Sequence, residues 1–388
     1  MAGSATLDHQ PVPRYLSIID QNDRPVNAGP SVWELMQVAQ TMQALVVRGP
    51  NVLDIAEAPV PEPGRNEVLA RVRSVSICGT DAHLINGDYP GFWPTGFPFT
   101  PGHEWAGEIV ALGENADIFG WAVGDRVAGT SHNACGACQK CVEGQYNLCE
   151  NYGKPGLHAQ YGHNVQGVNA TYAVHNVKCV YKLPDEMTFD EGALADPASI
   201  ALHVARRGNI KAGDTVAVTG AGAVGLLAGD AALICGAARV IMVGRGHRLE
   251  RAGTLGFEMV DTRGADPVAR VRELTGGLGA DVVLECAGVP ETLTWAMAML
   301  RRGGRCAMVG IPTEAVALTF QSLVLDELEL VGSRASAGEM RRVIPFLANG
   351  RMRAKDLITH HFALSDYDKA LATFNDRTSG AIKIIVNP

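Results

Sequence analysis

The chain has 388 residues, enough for two or three domains and too many for a small stapled module. Hydrophobic residues make up 47% and charged residues 19%, which supports extended cores and excludes a disordered, solvating chain. A formal charge of −8 with no basic block argues against a nucleic-acid partner, and no apolar run approaches the roughly 20 residues that span a bilayer.

Residues 1–41 mix Pro, Asp, Asn and Ser around an apolar patch at residues 33–36 and read as an N-terminal extension. No basic start precedes a short apolar core, so a soluble cytoplasmic protein is expected. From Met42 onward short strand-like segments begin, at residues 44–48 and 68–75, with a Pro/Gly turn at 61–64 between them. Gly124-Asp-Arg-Val-Ala128 reads as a turn entering a strand. This punctuation predicts a mostly antiparallel, barrel-like domain.

Within that domain, Cys78, Thr80, Asp81 and His83 cluster in one stretch and His103 and Glu104 in the next, while Asp196 follows just before the α/β region. A thiolate, an imidazole and carboxylates around zinc, with one position left for substrate or water, form a catalytic metal arrangement. Singly, Cys78 reads equally well as a core cysteine and His103 as a core histidine; their occurrence beside a dinucleotide motif favours the metal. Residues 88–99 are rich in aromatics, and Phe92, Trp93 and Phe97 read either as a bulky substrate wall or as a packed lid or subunit contact. Spacing alone does not place His132, His158 and His163 in the cleft.

Four of the nine cysteines, Cys135, Cys138, Cys141 and Cys149, fall in one short stretch. Two-residue gaps let one loop point its thiolates at a common centre, as in a filled structural zinc site. The competing metal is an iron–sulfur cluster, but the companion proline and second cluster motif are missing. An odd total also argues against a disulfide framework.

After Pro184 the pattern changes to strand, glycine turn and helix. The apolar run 214–219 enters Gly220-Ala-Gly222-Ala223-Val224-Gly225, followed by a small-residue helix, which is a dinucleotide fingerprint. The next strand ends in Gly244-Arg245-Gly246-His247-Arg248, where an NAD site would carry an acidic residue. Arg245 and Arg248 can pair with a 2′-phosphate, so NADP is expected in preference to NAD. The other reading is that these arginines face solvent and Gly244 merely opens the adenine pocket.

These motifs together resemble the zinc-dependent medium-chain dehydrogenase/reductase family, and the sorbitol and threonine dehydrogenase branch in particular. The resemblance runs from about residue 42 to the end. It implies an α/β architecture: a Rossmann domain at 196–339 and a split GroES-like catalytic domain at 42–195 and 340–388, with a zinc lobe at 132–152. It also implies two zinc ions per subunit, with Cys78, His103, Glu104 and Asp196 around the catalytic one. Asp196 stands where relatives usually carry glutamate, and the shorter side chain leaves open whether it binds directly or through water. Thr80 would relay the alcohol proton, His83 would lead it to solvent, and Asp81 would orient a ligand. The implied reaction is hydride transfer between a secondary alcohol or polyol and NADP(H), in a homodimer or homotetramer. Alternatives are an NAD-dependent polyol or L-threonine dehydrogenase, a zinc-free quinone or enoyl reductase, and a non-catalytic zinc-binding relative.

Overall fold

Two periodicities in the chain produce the two large sheets of the structure, a computed structural model that describes residues 40–264, 266–312 and 314–388. The extension expected at residues 1–41 falls outside the described residues except for its last two. In Glu67–Ser76, buried Val68, Ala70 and Val72 alternate with exposed Arg71 and Arg73, so these three turn one apolar face to a core, and Leu69 and Val75 are buried as well. It pairs antiparallel with Glu104–Leu112 and Tyr172–Asn176. Pairing continues from Glu104–Leu112 to Arg126–Gly129 and then Val180–Lys182. On the other side lie Lys383–Asn387 and, parallel to it, Ile358–Ala363. The seven-stranded sheet is thus an open path with one branch, and it does not close into a barrel.

The Gly124-Asp-Arg-Val turn has a specific task. Arg126 donates to the carbonyls of Pro184 and Asp185, both at 2.8 Å, and to that of Met187, with its guanidinium 4.6 Å above the Phe189 ring. One arginine therefore pins the connection that leads from this sheet into the α/β region.

The second sheet is parallel, in the order Glu258–Asp261, Arg239–Gly244, Thr215–Thr219, Ala280–Glu285, Leu300–Met308 and Glu329–Gly332. In chain order this is 3-2-1-4-5-6, the doubly wound arrangement whose crevice lies at the carboxyl ends where the order reverses. Its central strands are continuous apolar runs because helices cover both faces. Arg353 joins the C-terminal part of the chain to this domain: its amide and Nε donate to buried Asp230 at 2.8 and 3.0 Å, and its guanidinium lies over Phe257. No helix among the described residues is long and apolar enough to cross a membrane.

His175 is packed between the rings of Trp105 and Tyr161, with centroids 4.7 and 4.1 Å away, and neither ring nitrogen has a partner among the described residues. Burial pushes its pKa from 6.5 down to about 3. A depressed folded-state pKa means that stability is fully present above the unfolded value and is lost as pH falls from about 6.5 towards about 3. We predict that His175→Phe flattens the acid limb of stability against pH by about 1.4 kcal/mol per unit, one proton's worth. Denaturant midpoints measured across this range check it; an unchanged acid limb would refute it.

Candidate active site

Cys78 has an extended backbone and immediately precedes helix Gly79–Asn86. From the first turn of that helix, buried Asp81 accepts hydrogen bonds from the amide of Cys78 at 2.9 Å and the amide of Gly102 at 3.1 Å. Its Oδ1 also lies 3.5 Å from Nδ1 of His103. One carboxylate thereby fixes both loops that carry the proposed ligands, and it faces one imidazole nitrogen so that the other is left for a metal. Burial alone would raise the Asp81 carboxyl, but His103 holds it below the usual range. In return, Asp81 and the Cys78 sulfur keep His103 well above its ordinary value against the effect of burial.

Ligand atoms of Cys78, His103 and Glu104 lie within 4.8 Å of one another, close enough to share one ion with bonds of about 2.0–2.3 Å. Thiolate, imidazole and carboxylate together form a zinc donor set rather than one for magnesium or calcium. Asp196 stands outside this group. Thr130 donates to it at 3.4 Å, and burial pushes its carboxyl up to about 7 against the pull of His103. Glu104 pairs with Lys383, both buried, and Lys383 Nζ also donates to the carbonyl of Ile77 at 3.3 Å. Thr80 Oγ1 lies 3.7 Å from Cys78 Sγ. Half-exposed His83 pairs with Asp88 at 2.7 Å, and no hydrogen bond joins it to Thr80 among the described residues.

The aromatic stretch divides. Trp93 donates to the Tyr152 hydroxyl at 2.9 Å and meets His163 edge-on at 4.8 Å, and His163 in turn packs 4.5 Å from His103. Phe92 packs against Trp93 and stacks on Tyr152. Phe97 is 40% exposed and has no aromatic partner among the described residues. The three histidines left unplaced by spacing come together here, with His132 and His158 both beside Tyr152. Burial holds them neutral, His158 down to about 4 and His163 to about 3, with His132 also well below its ordinary value.

The four-cysteine loop brings its sulfurs together, with Cys135 and Cys141 3.9 Å apart and Cys138 and Cys149 likewise 3.9 Å. A tetrahedron with zinc–sulfur bonds of about 2.3 Å has edges of about 3.8 Å, so the loop fits the ion. Asn151 and the amides of Ala137 and Cys138 donate to Cys135, pulling its thiol down to about 5. Beyond the ligands, Asn147 donates to the carbonyl of Arg334 at 2.7 Å and the Tyr146 hydroxyl accepts from the Gly338 amide at 2.9 Å. The lobe is thus fastened to the segment after the sixth parallel strand.

A cavity of about 590 Å³ opens at the carboxyl ends of the first four parallel strands. Gly220 has φ +96°, and a Cβ at Gly225 would lie 1.9 Å from the Gly220 carbonyl, so the helix Ala223–Cys235 sits directly against the turn. A Cβ at Gly222 would meet nothing within 4 Å. That free side and the first amides of the helix, at Ala223, Val224 and Gly225, suit a diphosphate. Gly244 and Arg245 line the same cavity, and Arg245 has no ionic partner among the described residues. Arg248 lines it too, and donates from Nε and Nη2 to the Ala381 carbonyl at 3.3 and 3.1 Å. Both arginines expected at a 2′-phosphate thus border the cavity, and Arg245 has its guanidinium unpaired among the described residues.

Comparison with known proteins agrees with this layout. Residues 64–185 match the alcohol dehydrogenase GroES-like domain and residues 223–349 the zinc-binding dehydrogenase family. The chain is 34% identical to sorbitol dehydrogenase of Bacillus subtilis over 354 residues, covering 90% of this chain and 98% of that one. It is 33% identical to L-threonine 3-dehydrogenase of Paraburkholderia phymatum over 334 residues, 85% of this chain and 95% of the other. Among solved structures, 2R,3R-butanediol dehydrogenase from Bacillus subtilis superposes with a TM-score of 0.81 at 30% identity, covering 89% and 99% of the two chains. A protein of Sinorhizobium meliloti 1021, described as a zinc-binding dehydrogenase bound to NADP, superposes at 0.83 with 29% identity, covering 90% and 100%. Fold and relatives together define an oxidoreductase of the alcohol and polyol dehydrogenase class. The chain belongs to the zinc-dependent medium-chain dehydrogenase family, in the branch of the sorbitol and threonine dehydrogenases.

Proposed function

We propose that the protein is a zinc-dependent alcohol dehydrogenase and ketone reductase, moving hydride between a secondary alcohol or polyol and NADP(H), with a second zinc held by Cys135, Cys138, Cys141 and Cys149. The observation that carries the reading is the convergence of Cys78, His103 and Glu104 in a fold that also builds a diphosphate cradle at Gly220–Gly225. Zinc held by Cys78, His103 and Glu104, with Asp196 close by, supplies a charge that lowers the pKa of an alcohol. Asp81 orients His103, and Lys383 holds Glu104 in place. Thr80, neutral and able to donate or accept, takes up the alcohol proton, and His83, one helical turn further on, passes it to solvent. Phe92, Trp93 and Tyr152 exclude water, while the neutral imidazoles of His132, His158 and His163 offer lone pairs and N–H groups to substrate hydroxyls.

The absence of a carboxylate at the end of the second parallel strand supports NADP, since nothing there repels a 2′-phosphate. We predict that Arg245→Ala raises KM for NADP about tenfold or more and leaves that for NAD within about twofold, as loss of one charge-assisted hydrogen bond requires. Equal changes for both cofactors would count against the assignment. The names of the relatives support a polyol or L-threonine as substrate without naming a cofactor, and the same measurement separates an NAD-linked enzyme of that kind from an NADP-linked one. Exposed Phe320, Val324 and Leu325 beside the edge strand Glu329–Gly332 support a homodimer or homotetramer.

A further inference from the structure

Arg377 lies in the turn between helix Tyr367–Asn375 and strand Lys383–Asn387, far along the chain from the nucleotide fingerprint, yet it lines the nucleotide cavity together with Arg245 and Arg263. The turn is built to bring it there. Arg248 reaches out of the nucleotide domain to the Ala381 carbonyl, while Ser379 Oγ donates to the carbonyls of Thr373 and Asp376 at 2.8 Å each. The neighbouring carboxylate of Asp376 accepts from the amide and hydroxyl of Thr378 at 2.8 and 2.7 Å and makes no ion pair with Arg377. Asp261, at the end of the third parallel strand, is likewise engaged with Arg263. Glu291, the carboxylate that lines the cavity, enters from the helix beyond the fourth strand, on the other side of the fingerprint turn. Arg377 itself has no ionic or hydrogen-bond partner among the described residues.

Burial and the nearby charge of Arg377 hold the Arg248 guanidinium below the ordinary arginine range. Arg248 and Arg377 line the same cavity as Gly244 and Arg245, and Arg248 holds the Ala381 carbonyl in the turn that carries Arg377, which places Arg377 at the end of the second parallel strand, where the adenosine ribose lies in this fold. It is not at the helix N-terminus that serves the diphosphate. Unpartnered cations gathered at one rim repel each other until an anion joins them, and a phosphate monoester answers that demand with bidentate geometry.

We propose that Arg377, delivered by the C-terminal part of the catalytic domain, is a second ligand of the NADP 2′-phosphate opposite Arg245. The proposal rests on the NADP reading above. Its consequence is that the 2′-phosphate bridges the two domains, so the domain that carries the chemistry takes part in choosing the cofactor.

Calorimetric titration of the zinc-loaded enzyme with NADP, NAD and adenosine 2′,5′-bisphosphate tests it without turnover. Arg377→Ala is expected to weaken NADP and the bisphosphate by about tenfold or more and to leave NAD within about twofold, with Arg377→Lys recovering part of the loss. Because Arg377 is exposed and unpaired, the variant should melt with the wild type. If the wild type prefers NADP and Arg377→Ala leaves that preference intact, or weakens NAD equally, the proposal is overturned while the NADP reading stands. A wild type that binds NAD as tightly as NADP overturns both.

Discussion

Cys78→Ser should abolish turnover, by roughly a thousandfold or more, while the melting temperature stays within about 2 °C of the wild type. The substitution preserves size and removes only the thiolate. Asp81 still holds the Cys78 amide and the Gly102 amide, so the two ligand loops keep their places. What is lost is the softest of three donors within 4.8 Å, and a neutral hydroxyl does not replace it. Elemental analysis should show the loss of about one zinc per chain. A fully active variant would contradict the assignment of the metal that drives the chemistry.

Cys138→Ser should behave in the opposite way, losing stability first. The sulfur lies 3.9 Å from Cys149 and accepts the Glu150 amide at 3.4 Å, so it is both a ligand and a turn-organising acceptor. Structural zinc is worth about 10–16 kcal/mol to the segments that bind it, and an incomplete tetrahedron forfeits much of that. We expect the melting temperature to fall by roughly 10 °C or more and the zinc content by about one ion. Activity should fall in step, because Asn147 and Tyr146 fasten the lobe to residues 334–338. A variant that keeps both its zinc and its melting temperature would show that the four cysteines hold no structural ion.

What could be read from the chain was local. Cys135 to Cys149 and Gly220 to Gly225 carry their geometry in their spacing, because a single loop or turn makes the site. Groups whose meaning depends on distant partners were not legible in this way. Lys383 stands 279 residues from Glu104, and its only local signal is a lysine heading the apolar run Ile384-Ile385-Val386. Arg248 was legible as a residue of the nucleotide cavity, but its contact with the backbone carbonyl of Ala381 leaves no mark in a side-chain pattern. His132, His158 and His163 gather only when the aromatic stretch folds against the zinc lobe. The openness of the first sheet is a matter of strand pairing across long separations, which short strands and turns do not encode.

The most direct test of the account is the initial rate of nicotinamide reduction with NADP and NAD in parallel, across secondary alcohols, polyols and L-threonine, before and after removal of zinc by a chelator. The account predicts an NADP-preferring rate on a secondary alcohol or polyol that disappears with the metal and returns when zinc is restored. A rate that survives complete loss of zinc, or one that prefers NAD, would contradict it.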